Sequence, residues 1–338
     1  ARADPEADTL FNMRIGIDVT GGDNAPHEIL KGCFDAIELL ESDDRLILAG
    51  DESEIAEALV ERGVNDDHLE ILHCEETIGM SESPVEAVRN KRKSSIARLS
   101  KMSGPKAGDD RLDCWISAGN TGACVTAAQM NMRRLRNVHR PGIAVTVPTF
   151  SGPIVLIDVG ANIEPKPHHL AQYGAMGSIY AQRILGIENP RVGLMNVGGE
   201  EAKGTSDMKS ARDMLRDAEA TNFIGYVEGR GVFDGEADVV VTDGVVGNVM
   251  IKLAEGLSKG LFQAIAAQVL ETDPELVVDV MMAVGGRMSG TPIPSEARPV
   301  VGLTLPYVSG VGGGRVELRI SQHLCVHARS LCRAEEAR

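Results

Sequence analysis

The sequence predicts an α/β fold in which helices cover both faces of a largely parallel sheet, a three-layer α/β/α arrangement. Three observations predict it. Short β-branched runs alternate with stretches of helical apolar spacing along most of the chain. Aromatic residues are only 3% of a chain that is 43% hydrophobic, so burial falls to Val, Ile, Leu, Met and Ala, which suits strands covered on both sides. Several runs also lead straight into glycine-rich turns, the layout of the ligand-binding edge of an open α/β sheet.

The elements follow in order. Residues 1–12 are set aside as an upstream extension, and Met13 opens the first strand, 13–20. Further strands are expected at 45–50, 69–74, 114–119, 142–149, 153–160, 191–198, 222–229 and 237–244. Pro26 is placed to start the first helix, where Ile29, Phe34, Ile37 and Leu40 carry the apolar spacing. Val249, Met250, Leu253, Leu257, Leu261, Phe262 and Ile265 predict a long amphipathic helix over 246–270. A second helix over 274–284, after the Asp273-Pro274 break, completes a hairpin over 246–284 that serves core or dimer packing, or touches acyl chain or membrane. One α/β/α domain is thus expected over 13–288, followed by a tail, 289–338, that has no clear period.

Composition removes several function classes. A formal charge of −15 argues against general nucleic-acid binding, which needs excess Lys and Arg. Cys33, Cys74, Cys114, Cys124, Cys325 and Cys332 have no Cys-x-x-Cys spacing, so neither a zinc site nor a disulfide framework is indicated, and a reducing cytoplasm fits. No apolar run approaches the roughly 20 residues that span a bilayer, and no basic stretch followed by an apolar core opens the chain.

The glycine-rich turns are the candidate chemistry. They supply Gly21, Gly22 and Asp23, then Ser117, Gly119, Thr121 and Gly122, then Asp158 and Asn162, then Glu200, then Asp243 and Gly247. Backbone N–H groups and helix amino termini at such turns hold anions; each glycine alone can equally be a strand-ender. The Gly-x-Gly-x-x-Gly fingerprint, the phosphate loop ending in Gly-Lys-Ser/Thr, the Gly-x-Ser-x-Gly elbow and His-Glu-x-x-His are all missing, so a dinucleotide fold of the usual form and a covalent acyl-enzyme are unsupported. The run from Glu86 to Asp109 holds Arg89, Lys91, Arg92, Lys93, Arg98, Lys101 and Lys106 with no acid between them, and Arg133, Arg134, Arg136, His139 and Arg140 make a second cluster. These are either solvated helix faces or patches that steer an acidic protein partner.

Six motifs together resemble one family. Asp18-Val-Thr-Gly-Gly-Asp-Asn-Ala-Pro26, Ser117-Ala-Gly-Asn-Thr-Gly122, Asp158-Val-Gly-Ala-Asn162, Lys166-Pro-His-His-Leu170, Gly199-Glu-Glu-Ala-Lys-Gly204 and Asp243-Gly-Val-Val-Gly-Asn248 occur in the order of the phosphate acyltransferase family of phospholipid synthesis, PlsX. Met80, Pro84, Ala87, Arg89 and the Lys-Arg-Lys-Ser-Ser-Ile run are similar to it as well, and the match extends from Met13 to about Lys259. The resemblance implies a cytoplasmic, homodimeric, Rossmann-like enzyme, related in fold to the isopropylmalate dehydrogenase and phosphotransacetylase groups. It implies acyl transfer from an acyl carrier protein thioester to inorganic phosphate, peripheral membrane contact through the hairpin, and no metal or organic cofactor. Thr20 stands where the family has Met, and the family's later Tyr-Gly-Gly-x-Pro-Leu-Leu-Gly and His-Gly-Ser segments are not legible after Met288, through divergence or a slip of reading frame.

Such a transfer needs an oriented phosphate, a stabilised oxyanion and a neutralised thiolate. Lys203 is the first candidate, because a point charge in a Gly-flanked turn after a strand suits phosphate or oxyanion. Asn120 and Asn248 are candidate donors to the same centre, and His168, behind Pro167, is a candidate acid for the thiolate or a capping residue. Asp18, Asp23, Asp158 and Asp243 would repel phosphate and are expected to orient Lys203 or to cap helices. Arg89, Lys91, Arg92, Lys93, Arg133 and Arg134 are the expected carrier-protein contacts.

Overall fold

A computed structural model describes residues 13–272 apart from 133, 135, 136, 150 and 220. The extension at 1–12, the helix expected over 274–284 and the tail over 289–338 lie outside the described residues. The rest forms two compact units that divide between residues 133 and 134.

In the first unit, β1 (Arg14–Asp18), β2 (Arg45–Gly50), β3 (Leu69–His73) and β4 (Cys114–Ile116) form an all-parallel sheet in the order β3-β2-β1-β4. The helices are α1 (His27–Ala36), α2 (Glu52–Arg62), α3 (Pro84–Asn90), α4 (Ser95–Met102) and α5 (Thr121–Asn131). Strand side chains alternate by face. Ile15, Ile17, Leu46 and Leu48 pack on one side with Leu30 and Cys33 of α1 and Ile55 of α2. Ile47 and Ala49 turn the other way, to Leu99 of α4 and Leu112. Asp51 starts α2 by accepting the amides of Ser53 and Glu54, and Gly63 ends it at φ 63°. Caps of this kind stabilise a helix by about 1 kcal/mol.

The second unit contains β5 (Ala144–Thr149), β6 (Gly152–Ile157), α6 (Pro167–Ile184), β7 (Arg191–Met195), α7 (Ser206–Arg216), β8 (Asn222–Val227), α8 (Gly231–Asp234), β9 (Val239–Val241) and α9 (Gly244–Thr272). Its sheet runs β5-β6-β9-β7-β8, parallel except for β5, which is joined to β6 as a hairpin. Val155, Ile157, Val192, Leu194, Val239 and Val241 meet Leu170, Tyr173 and Ala181 of α6 and Leu215 of α7. Ile154, Leu156, Met195 and Val240 face Val232 of α8 and Met250 and Ile251 of α9. Each sheet therefore has helices on both faces, as the alternation of strands and helices predicts, and every expected strand run contains an observed strand.

The helix expected over 246–270 is α9, two residues longer at each end. Val245, Val249, Leu253, Leu257, Leu261 and Ile265 lie along it, each between 46% and 66% exposed. Among the described residues, no helix is long and apolar enough to cross a membrane.

Candidate active site

The parallel neighbours β6, β9 and β7 end on one edge of the second sheet, so the turns that follow them lie side by side. These turns carry three of the five glycine-rich motifs. The first is organised by Asp158, which is fully buried. Its Oδ1 accepts the amides of Ile143, Gly160 and Ala161 at 2.9, 3.1 and 2.9 Å, and its Oδ2 accepts the amide of Asn162 at 2.7 Å. The Asn162 side chain donates to Asp158, to the Pro141 carbonyl and to the Tyr173 hydroxyl, and accepts from Arg140. Asp158 and Asn162 thus shape the turn and hold it to α6.

Asp243 starts α9 by accepting the amides of Val245 and Val246, both at 2.9 Å, so it caps the helix. Gly247 presses that first turn onto the Asp158 turn: a Cβ there would lie 2.0 Å from the Asp158 carbonyl oxygen. Asn248 stands near Gly160, half-buried, and its amide has no hydrogen-bond partner among the described residues.

Lys203 lies in the turn after β7, about half exposed, with its ammonium 2.6 Å from Glu200. That side-chain hydrogen bond is the main reason the Glu200 carboxyl is held below the usual glutamate range. The lysine does supply a point charge at this edge, but a neighbouring carboxylate holds it. Asp158 and Asp243 bond backbone amides and not Lys203.

His168 is half-buried in the first turn of α6, its ring 4.1 Å from that of His169 and 5.0 Å from that of His139. His169 accepts the Lys166 amide at 3.0 Å and caps the helix. Burial, then the charges of His168, Arg140, His139 and Lys166, lower the His169 imidazole below its ordinary value.

The other two motifs follow the neighbouring strands β1 and β4 of the first unit. Asp18 is buried; its Oδ2 accepts the Ser117 hydroxyl at 2.6 Å, and Ser117 Oγ accepts the Gly119 amide at 3.0 Å. Thr20 donates its hydroxyl to Asp18 at 2.9 Å and lies 3.0 Å from Ser95, so this departure from the family pattern is built into the network. At Gly21 a Cβ would fall 2.5 Å from Asp18 Oδ2, so only glycine lets the two turns approach this closely. Gly22 has φ 103° and stacks on Ala118, Gly122 packs against Pro84, and Asp23 faces solvent.

The Asn120 side chain is taken up by backbone groups. Its Oδ1 accepts the Ala123 amide at the start of α5, and its Nδ2 meets the carbonyls of Gly79, Met80 and Glu82 at 3.1–3.3 Å. Thr121 opens α5 beside it. The residue ties the β4 turn to the segment before α3, which makes it a clamp in this structure.

The basic run is less positive in space than in sequence. Lys91 is paired with Glu82 at 2.6 Å and Lys93 with Glu75 at 2.7 Å, acids that lie upstream of the run. Arg89 and Arg92 remain exposed, Arg92 donating to the Arg89 carbonyl. Arg134 donates to the His139 carbonyl, and Arg133 lies outside the described residues. Tyr173, fully buried and bonded to Asn162, is a site-shaping residue that sequence reasoning missed. Its position four residues after His169 on α6 is the signal that could have found it.

This combination, α/β units with glycine-rich strand ends that gather amides, helix starts and a lysine, is that of enzymes that act on anionic groups. Solved structures share the fold: a phosphotransacetylase from Streptococcus pyogenes matches at TM-score 0.53 with 16% identity, covering 73% of this chain and 82% of that one. The EutD phosphotransacetylase from Staphylococcus aureus matches at TM-score 0.52 with 16% identity, covering 73% and 83%. A family model described as "Fatty acid synthesis protein" matches residues 13–276. The phosphate acyltransferase of Bacillus licheniformis is 44% identical over 252 residues, 74% of this chain and 73% of the relative, and that of Bacillus subtilis is 42% identical over the same shares. The chain belongs to the phosphate acyltransferase family, and it is an acyltransferase enzyme.

Proposed function

We propose that the protein transfers a fatty acyl group from an acyl carrier protein thioester to inorganic phosphate, giving acyl phosphate for phospholipid synthesis. What supports this reading is that the turns after the neighbouring parallel strands β6, β9 and β7 leave one edge of the sheet and carry the start of α9, Asn248 and Lys203. A phosphate oxygen attacks the thioester carbonyl carbon, the C–O bond forms as the C–S bond breaks, and the thiolate leaves and takes a proton. Phosphate is anionic already at neutral pH, so the protein supplies position and counter-charge, and no strong base is required. Lys203, on leaving Glu200, compensates the phosphate or the oxyanion; His168 protonates the thiolate.

Partners follow from the same reading. Arg89 and Arg92, exposed at the end of α3 and just after it, are the basic groups offered to an acidic carrier protein. The exposed apolar column of α9 is offered to a second copy of the chain in a homodimer and, toward its far end, to the membrane surface of the cytoplasm.

Thiol release from palmitoyl carrier protein, with and without phosphate, tests the function. Phosphate-dependent release is expected. Release only from the coenzyme A thioester would make the enzyme an acyl-coenzyme A phosphotransacylase, and carrier binding with no release would make it an adaptor.

A further inference from the structure

The start of α6 and the segment before β5 bring together basic groups of which the transfer chemistry uses only His168. The rings of His139, His168 and His169 have centroids 4.1 to 6.3 Å apart. Arg140 and Lys166 act on the same group, and the charges that bear most on His169, those of His168, Arg140, His139 and Lys166, all oppose its protonation. Asp158 meets the cluster through Asn162, whose Oδ1 accepts from Arg140 at 3.4 Å; its own oxygens are taken up by amides. Tyr173 touches Asn162 and the Pro141 carbonyl, and Arg134 reaches the His139 carbonyl.

The second observation concerns His169 itself, which is only 7% exposed. Its Nδ1 accepts the Lys166 amide, which fixes the neutral ring with its proton on Nε2. Among the described residues, that N–H has no hydrogen-bond acceptor. A donor left free on this ring, beside two more imidazoles and a guanidinium at the positive end of an 18-residue helix, suits an anion. In a chain of net charge −15, an assembly of this sign needs a reason to exist.

We propose that His139, Arg140, His168 and His169 form a binding site for a tetrahedral oxyanion, inorganic phosphate or the phosphate of an ester. The site deepens the acyl-transfer reading, and rests on it only for the choice of phosphate over other oxyanions. Seating the anion favours protonated rings at His139 and His168, while His169 stays neutral as the cap of α6, so binding takes up protons and tightens as pH falls.

Equilibrium binding of sulfate, inorganic phosphate and methyl phosphate to the whole protein, with no thioester present, tests the site apart from turnover. Sulfate keeps its charge across the range, and its affinity is expected to rise about fivefold from about pH 8 to about pH 6. His168→Gln, His139→Gln and Arg140→Gln are each expected to weaken phosphate binding about fivefold, with an unchanged circular dichroism spectrum. Methyl phosphate bound as well as phosphate would mark a site for esters; phosphate bound alone would mark the free acceptor. Sulfate affinity flat with pH, or Arg140→Gln and His168→Gln binding phosphate as the parent does, overturns the site. Phosphate bound normally by a protein that releases no thiol would instead overturn the acyl-transfer reading and leave the site standing.

Discussion

Asp158 and Asn162 are bonded to each other twice: one carboxylate oxygen of Asp158 accepts the backbone amide of Asn162 at 2.7 Å and its side-chain amide at 3.2 Å. With Ile143, Gly160 and Ala161 on the other oxygen, the carboxylate holds its whole turn in one conformation. Asp158→Ala strands these donors, of which the Asn162 amide is buried, and is expected to cost about 3 kcal/mol of stability. Urea unfolding measures it, and an unchanged midpoint would show that water replaces the carboxylate without loss.

Lys203→Ala is expected to lower turnover by several tenfold while leaving the unfolding midpoint within about 0.5 kcal/mol, because an exposed ion pair stabilises little. Glu200→Gln frees the same ammonium from its 2.6 Å partner and is expected to lower the KM for phosphate about twofold. Near-normal thiol release by Lys203→Ala would remove that lysine from the reaction.

Asn120 separates a structural role from a chemical one. Asn120→Asp keeps the acceptor for the Ala123 amide but loses the donor to the carbonyls of Gly79, Met80 and Glu82. It is expected to lose about 1–3 kcal/mol of stability, with activity falling only as the fraction folded falls. A fully folded, inactive Asn120→Asp would instead place the side chain against substrate.

Two glycines of the second unit should behave oppositely. Gly247→Ala puts a methyl group where the Asp158 carbonyl already is and should destabilise by about 3 kcal/mol, by forcing α9 from the turn beneath it. A Cβ at Gly199 meets nothing within 4 Å, so Gly199→Ala should be neutral within about 0.5 kcal/mol. Thermal melts of the two variants decide between this packing and a looser one.

Burial pushes the thiols of Cys74 and Cys124 up to about 11. The folded chain therefore keeps protons that the unfolded chain releases near 9.0, so their contribution to stability is intact below that pH and is lost as pH rises toward about 11. Both should resist alkylation at about pH 8 in the native protein and react once it is unfolded. Peptide mapping by mass spectrometry checks this, and labelling of the native thiols at the unfolded rate would count against it.

The strands were legible because they are short aliphatic runs, most of them leading into a glycine turn, as in 191–198, where Val192 and Leu194 face α6 and α7. The helix at 244–272 was legible from its apolar spacing. The division into two sheets was not, since it depends on which strands pair, and the strand runs on either side of residue 133 look alike in sequence. Part of the pairing in the basic run is out of sight in the sequence for a related reason: Glu75 and Glu82 pair with Lys93 and Lys91 from 18 and 9 residues away. Asn120, next to two glycines, looks like a free donor in sequence; only the fold shows the three carbonyls it serves. The histidine cluster joins positions 139 and 168, and no local pattern links them.

The column of apolar side chains on α9 advances by four residues at each step, from Val245 to Ile265. Four residues turn an α-helix through about 400°, so each member is displaced about 40° around the axis from the last, and the column sweeps roughly half the circumference. A flat sheet of lipid laid along the helix would meet about three of these side chains and miss the others. Whatever covers the whole column must curve with it, as a second helix crossing at an angle does, and a bilayer could take only a short stretch.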